Sequence, residues 1–502
     1  MDEATLLARF PREVEISAEA VAEQAGRSGR VLIVLDDDPT GTQSVADLPV
    51  LTRWETEDFV WALQQDAPAI YVLTNTRSLA PDTAAERNRE IVHAATAAAA
   101  IVNATPGYPR PLTLGFVSRS DSTLRGHYPL ETDVLAEEIL AATGTPVDGV
   151  VMVPAFPDAG RITIGGTHYM RIDGTPVPVA ETEFARDATF GFSHSDLASY
   201  VEEKSAGRFR ASDVVVLDLG IIRAGAAAIA RALSGVTGST PIAVDIVTEN
   251  DLRLLSLGLI EAEAAGLNLL YRVGPPLVRA RIGQAPRSPL TAGEIFAVAE
   301  DAPAIADARN RAPGGLIVVG SHVGLTSRQL ARLREDRPEA RTIELDVTRV
   351  IGSDILDGGA TAAEAEAYLA EIIAEVVAGI NTGDVIFHTS RLLMKTESPA
   401  ESLEISRRVS SAVVDVVRGT LAQRPPRFVI AKGGITSSDV AAHGLSIRHA
   451  IVRGPMLPGI VSLWESVDGP ALGIPYIVFA GNVGDDNSLA EVVSILSSTR
   501  NP

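Results

Sequence analysis

Cysteine is absent from this 502-residue chain, which excludes disulfides and thiolate metal sites. Histidine is scarce. The eight residues are scattered, with no H-E-x-x-H or comparable pair, so a transition-metal centre is not expected. No stretch of about 18 apolar residues runs free of charge, so nothing is expected to span a membrane. The opening "MDEATLLARFPREVEISAEA" has no basic segment followed by an apolar run, and so does not read as a signal peptide. A soluble, cytoplasmic chain is the expectation. Lysine is almost missing: Lys204, Lys395 and Lys432 stand among 43 basic residues, and the rest are arginine. An anion site here will therefore be read mostly by forked guanidinium groups. Positive charge is short overall, with 64 acidic residues and a net charge of -21. Such a surface repels nucleic-acid backbones and anionic membranes, so neither is an expected partner. Small anions need only a local basic pocket and stay open as ligands. The sequence leaves self-association into a homo-oligomer open.

What is present reads as α/β. The chain is 46% hydrophobic and too long for one ordinary core, so two large domains are expected. Apolar runs such as "AIYVLTNT", "LTLGFVSRS", "VDGVVMVPAF" and "PIAVDIVT" alternate with Ala/Glu/Arg-rich helical stretches, which predicts largely parallel sheets flanked by helices. A second series follows: "GGLIVVGS", "RTIELDV", "GDVIFHTS", "PRFVIAKGG" and "PYIVFAGN". Between them "YRVGPPLVRARIGQAPRSPL", rich in Pro, Arg and Gly, reads as the join. The domains are placed at 1–285 and 286–502. The Ala-rich run near 94 to 102 reads as a buried helix. The segment "DGGATAAEAEAYLAEIIAEVVAGI" reads as a surface helix.

Parallel sheets bind ligands at the carboxyl ends of their strands, so the residues leaving each apolar run are the ones to collect. The first is "VLIVLDDDPTGTQ". Val31 to Leu35 read as a buried strand, and Asp36, Asp37 and Asp38 sit where it ends. Adjacent carboxylates repel, so the cluster calls for a cation, an arginine or hydroxyl partners. The plain alternative is a solvated loop with a helix cap at Thr40. Other exits in this half are "TNTRS", "SRSDSTLRG" and "PAFPDAGR". Carboxylates, hydroxyls and arginines together suit a polyhydroxylated anion.

The second half leaves its strands through "VVGSHVGLTSRQL", "IAKGGITSSDV" and "FAGNVGDDNSLAEVV". Each is a strand, then glycines and hydroxyl residues, then a helical pattern. Glycines let backbone N–H groups approach a phosphate, and three such turns in one domain point to a nucleotide. There is no standard P-loop, and no G-x-G-x-x-G follows a strand.

These motifs resemble the four-carbon acid sugar kinase family. The family's Asp-Asp-x-Thr-Gly turn matches Asp37, Asp38, Pro39, Thr40 and Gly41. Its Asp-Ser-Thr-Leu-Arg-Gly motif matches Asp121 to Gly126, with Arg119 as the preceding basic residue. A Gly-Arg pair matches Gly160 and Arg161. In the second half, Gly320 and Ser321, then Gly433, Gly434, Ile435 and Thr436, then the loop Gly481 to Gly484, match the family's nucleotide turns. The resemblance implies a two-domain kinase using ATP and Mg²⁺. An N-terminal domain would hold a small sugar acid, a C-terminal domain the nucleotide, and the active site would lie in the interdomain cleft. Arg119, Arg125, Gly160 and Arg161 are the expected acid-binding residues. Ser122 and Thr123 either bind substrate or cap a helix. Asp37, Asp38 and Asp121 are candidates for hydroxyl binding and general base. Ser321, Gly433, Gly434, Ile435, Thr436, Gly481 and Asn482 are the expected nucleotide contacts. The alternatives are a noncatalytic sugar-acid sensor and an aldolase or isomerase of such acids. For an aldolase, Lys204 and Lys395 are the Schiff-base candidates weighed, and neither reads as a buried nucleophile.

Overall fold

The computed structural model describes residues 2–106, 111–297, 311–352, 359–390 and 399–498, the side chains of 399–403 excepted. The chain divides into two compact units, Met1–Pro286 and Arg287–Pro502. Lys395, one of the aldolase candidates, lies outside the described residues.

The first unit is built on a parallel sheet. Its strands are β1 (Arg30–Asp36), β2 (Leu48–Leu51), β3 (Ala69–Leu73), β4 (Thr113–Arg119), β5 (Gly149–Val153), β9 (Val215–Leu217), β10 (Thr240–Val244) and β11 (Leu269–Val273). They lie side by side in the order β2-β3-β1-β4-β11-β5-β10-β9. A small antiparallel meander, β6 (Arg161–Ile164), β7 (Thr167–Ile172) and β8 (Thr175–Pro178), stands apart from it. Central parallel strands are covered on both faces, which is why their sequences are continuous apolar runs. Ile33, Leu35, Ile70 and Val72 pack with Phe59, Ile91, Ala95 and Leu135 into one core. The Ala-rich run belongs to the 23-residue helix Pro81–Asn103, whose small side chains let it lie close against the sheet.

The second unit carries β12 (Leu316–Val319), β13 (Arg341–Leu345), β14 (Val385–Thr389), β15 (Val429–Lys432), β16 (His449–Leu457), β17 (Val461–Ser466) and β18 (Pro475–Phe479). Their order is β13-β14-β12-β15-β18-β17-β16, parallel as far as β18, with β17 and β16 antiparallel. Ile317, Val319, Phe428, Ile430 and Ile477 pack against Leu489, Val492 and Leu496 of the helix Ser488–Ser497. The predicted surface helix is Ala362–Ile380, capped by Thr361, which accepts from the backbone N–H of Glu364.

Two elements differ from the sequence expectation. The stretch read as the join contains the break between the units, after Pro286, but it begins inside β11, a buried strand paired to both β4 and β5, and continues through the buried helix Pro275–Arg281. Pro275 and Pro276 sit at the first turn of that helix, where a missing N–H costs nothing. The Pro-Gly punctuation therefore marked a helix start. The meander went unread because its strands, such as "THYMRI", are largely part-exposed and mix polar with apolar residues. Its turns, Gly165-Gly166 and Asp173-Gly174, have positive φ at both central residues, the geometry of two-residue hairpins.

Candidate functional site

In the first unit the strand exits converge. Pairing β1 with β3 and β4 sets Asp36 beside Leu73 and Arg119, so three loops leave the sheet together. Asp36 and Asp37 are buried, which removes the solvated-loop alternative. The cap is also not Thr40. Asp38 caps the short 3₁₀ turn Pro39–Ser44 by accepting from the Thr40 backbone N–H at 3.0 Å and its hydroxyl at 2.5 Å.

Arg119 is enclosed by this cluster. Its guanidinium pairs with the Asp36 carboxylate, donates to the Asp38 carbonyl, and lies 3.3 Å from Asp37 Oδ1. Gly41 allows this, since a Cβ there would overlap both the Asp36 carboxylate and the Arg119 guanidinium. Arg77 of the "TNTRS" exit pairs with Asp38 and lies 3.7 Å from Asp121 Oδ1. Arg272 of β11 pairs with the buried Glu131 and donates to Ser118 Oγ at 2.7 Å.

The three aspartates named as candidate bases have different environments. Burial pushes the Asp38 carboxyl up, but Arg77, Arg119 and the Thr40 bonds outweigh it and hold the proton affinity low. Asp121 is also held low: Arg77, Arg125 and the Thr123 hydroxyl overcome its burial. Asp37 goes the other way. Burial dominates, Arg77 and Arg119 oppose it incompletely, and its carboxyl is raised. Neither Asp37 oxygen has a hydrogen-bond partner. A buried polar group without a partner is rare and calls for an explanation.

The loop Ser120–Gly126 forms one wall of a small pocket, shared with Tyr128, Met152, Pro154, Tyr200 and Arg272. Asp121, Leu124 and Arg125 line it from the loop. Arg125 Nε donates to Asp121 Oδ2 at 2.7 Å, and its guanidinium lies 4.9 Å over the Phe184 ring. Thr123 donates its hydroxyl to Asp121 and caps no helix. Leu124 has φ 69° and Gly126 φ 120°, so the loop needs external bracing. Tyr200 supplies one brace, its hydroxyl donating to the Leu124 carbonyl at 2.8 Å. His168 of β7 supplies another, its Nε2 donating to the Ser122 carbonyl at 2.8 Å. Its Nδ1 accepts from the Thr163 hydroxyl at 2.9 Å, which completes the neutral tautomer. Gly126 leaves room between Arg272 and Asp37, because a Cβ there would sit 2.8 Å from Arg272 Nη2 and 3.3 Å from Asp37 Oδ2. Gly160 turns the chain at φ 75° into Arg161. Arg161 donates to the Ala159 carbonyl at 2.9 Å, but its Nε is buried without a partner.

In the second unit the three glycine turns meet. A Cβ on Gly320 would overlap the Thr436 hydroxyl; one on Gly433 would lie 3.1 Å from Ser321 Cβ; one on Gly481 would reach 2.5 Å from Ser321 Oγ. Thr326 ties two of them, its hydroxyl donating to the Gly481 carbonyl at 2.8 Å and lying 3.2 Å from Ser321 Oγ. The strained backbone position is Gly433, at φ 131°; Gly434 is the first residue of the helix Gly434–Asp439. Ile435 and Asn482 are exposed at the rim of this convergence. Among the described residues no group of three or more His, Asp or Glu side chains is arranged to hold a metal ion, and no helix is long and apolar enough to cross a membrane.

Comparison with known proteins defines the class first. A sugar-binding N-terminal domain matches residues 32–281, and a nucleotide-binding C-terminal domain matches residues 316–489. The chain belongs to the four-carbon acid sugar kinase family. It is 28% identical over 248 residues to a D-erythronate kinase of Heliobacterium modesticaldum, covering 48% of this chain and 49% of that protein. It is 29% identical over 269 residues to a D-threonate kinase of Cupriavidus necator, covering 52% of each. The chain thus aligns with about half the length of these relatives. A solved structure described as a putative tRNA synthase of Salmonella typhimurium LT2 superposes with a TM-score of 0.62 at 17% identity, over 92% of this chain and 98% of that one. A Haemophilus influenzae protein does so with a TM-score of 0.57 at 16% identity, over 92% and 100%. At these identities the likeness shows the fold alone.

Several site residues escaped the sequence reading. Arg77 lies in a quoted exit but was not singled out. Arg272 was assigned to the join, although a charged residue inside the apolar run "LLYRV" was a signal, since such residues are rarely buried unpaired. His168 and Tyr200 left no local signal.

His168 generates a prediction. Burial pushes its imidazole down from 6.5 to about 4; Arg161 adds to this and Asp121 opposes it. Between those values the unfolded chain binds the extra proton, so this stabilisation is complete above about 6.5 and lost as pH falls toward about 4. Thermal melts of the wild type and His168→Gln across pH 4 to 8 should differ most above 6.5 and converge in acid. A constant gap would show that the imidazole is not held neutral.

Proposed function

We propose that this chain is an ATP-dependent kinase that transfers the γ-phosphoryl group to a hydroxyl of a four-carbon sugar acid such as erythronate, threonate or an oxo-tetronate. The first unit holds the acid and the second the nucleotide. Asp37 is the observation that carries the reading. It is a buried carboxylate with raised proton affinity and no hydrogen-bond partner, beside a pocket lined by Arg125 and Arg272. Of the three candidates only Asp37 has a raised carboxyl, which makes it the stronger proton acceptor, while Asp38 and Asp121 are held low. In this reading Asp37 takes the proton of the attacking hydroxyl. The oxygen bonds to the γ-phosphorus, the β–γ bridging bond breaks, and ADP leaves. Arg125 and Arg161 grip the carboxylate of the acid, with Arg161 offering its unpartnered Nε. Arg119 is a brace that holds the aspartates in place. Ser321, Gly433, Gly434, Thr436 and Gly481 cradle the phosphates, with Ile435 and Asn482 at the rim. Mg²⁺ arrives on the nucleotide, held mainly by phosphate oxygens.

Among the described residues, Lys204 gives the aldolase reading no support. Lys204 donates to the Gly191 carbonyl at 3.2 Å, outside the pocket.

The deciding assay follows ADP release with erythronate, threonate and their 2-oxo and 3-oxo forms. An acid that binds without ADP release would favour the sensor. Asp37→Asn should lower kcat at least ~10²-fold with little change in acid binding. Parent-like turnover in that variant moves the base to Asp38. Arg125→Ala should raise the half-saturating acid concentration by roughly one to two decades, from about 1.5 to 3 kcal/mol of lost charge-assisted bonding, with ATP affinity retained. Gly433→Ala forces a side chain into positive φ and toward Ser321. It should weaken nucleotide binding by ~10-fold or more in calorimetry while leaving acid binding alone. A folded Gly433→Ala that binds ATP like the parent removes the phosphate cradle from these turns.

A further inference from the structure

Lys432 ends β15, and its side chain is completely buried. Its carbonyl accepts from the backbone N–H groups of Gly320 and Ser321, both at 3.2 Å. The next residue, Gly433, donates its N–H to the Phe479 carbonyl at 2.8 Å. The Lys432 amine lies 3.7 Å over the Phe479 ring and donates to the Ala480 carbonyl at 2.6 Å. One residue therefore touches all three glycine turns: the first through its carbonyl, the second through the chain, and the third through its amine.

Among the described residues the amine has no counter-charge: Lys432 forms no ion pair, and burial is what pushes its proton affinity down, to about 7. The titratable groups on the elements packed around it are taken up elsewhere. Tyr476 of β18 donates its hydroxyl to the Ser437 carbonyl at 2.5 Å, and Asp439 accepts from Ser410. Asp485 accepts from the Ser488 hydroxyl at 3.0 Å, and Asp486 pairs with Arg328 at 2.8 Å. An ammonium has three donors, and one carbonyl satisfies only one. A ring face offsets part of the desolvation, but not as a full negative charge does.

We propose that Lys432 is a proton-coupled positioning residue of the phosphate cradle: it holds the three turns together, and a polyphosphate seated on them draws a proton from solvent onto its amine. An anion close to a buried amine in low dielectric favours the charged form, so binding and proton uptake are two faces of one equilibrium. This rests on the nucleotide reading of the second unit and adds to it a coupling to pH.

The test is calorimetry of MgATP binding to the full chain at pH 8.5, without sugar acid, in two buffers of different protonation enthalpy. At that pH the triphosphate itself no longer titrates. The wild type should take up about 0.5 to 1 proton per nucleotide, and its affinity should fall about 3- to 10-fold from pH 8 to 9. Lys432→Met keeps the apolar packing and should abolish both effects. Should that variant not fold, Lys432→Arg, always charged, should bind with no uptake. Wild-type binding without uptake overturns the proposal alone, as does undiminished uptake in either variant. Absence of any ATP binding by the wild type overturns both the proposal and the nucleotide reading.

Discussion

The first unit depends on the burial of the Asp36–Arg119 pair at the mouth of its sheet. Separating these charges from water is costly, and removing one partner would leave the other uncompensated. The pair is sustained by its surroundings: Gly41 makes room for it, the Asp38 carbonyl takes a further guanidinium donor, and strand pairing puts β1 and β4 in register so that the two residues stand side by side. Arg119 is then fully committed inside the fold. The arginines that face the pocket are others, Arg125 from the loop after β4 and Arg272 from the neighbouring strand β11.

This commitment sorts the aspartates. Asp36, Asp37 and Asp38 are adjacent in the chain and share nearby cations, yet their environments separate them. Asp36 is spent on Arg119, and Asp38 on Thr40 and Arg77. Asp37 receives charge from several guanidinium groups without a hydrogen bond from any. Three identical side chains in a row thus become a brace, a cap and an unbonded carboxylate. The meander acts at one remove through His168, which holds the Ser122 carbonyl, and the helix Leu197–Lys204 does the same through Tyr200 at the Leu124 carbonyl, both in the loop that carries Asp121 and Arg125.

The second unit solves a different problem with different means. Its candidate site has little side-chain charge and is made mostly of backbone. Glycines at positions 320, 433 and 481 let three turns approach within a few ångströms, and hydroxyls of Ser321, Thr326 and Thr436 fill the spaces between them. Lys432 lies beneath as the lone buried amine among the described residues.

The sequence by itself determined the α/β class, most of the strands and the loops that leave them at the candidate sites. Continuous apolar runs such as "VLIVL" and "PYIVF" can only be buried strands or short helices, and the glycine and aspartate clusters after them end the element. It could not show what each charged side chain faces. Arg119 and Arg125 sit in one motif, yet one is enclosed and the other lines a pocket, because the strand before them ends between the two. Arg272 and His168 joined the site only through strand order, β11 falling beside β4 and the meander folding onto the 120–126 loop. Hydrophobic periodicity is local and survives in the one-dimensional pattern. Ion pairing, burial of charge and the positive φ at Gly433 depend on contacts between distant residues, and only the tertiary structure decides those.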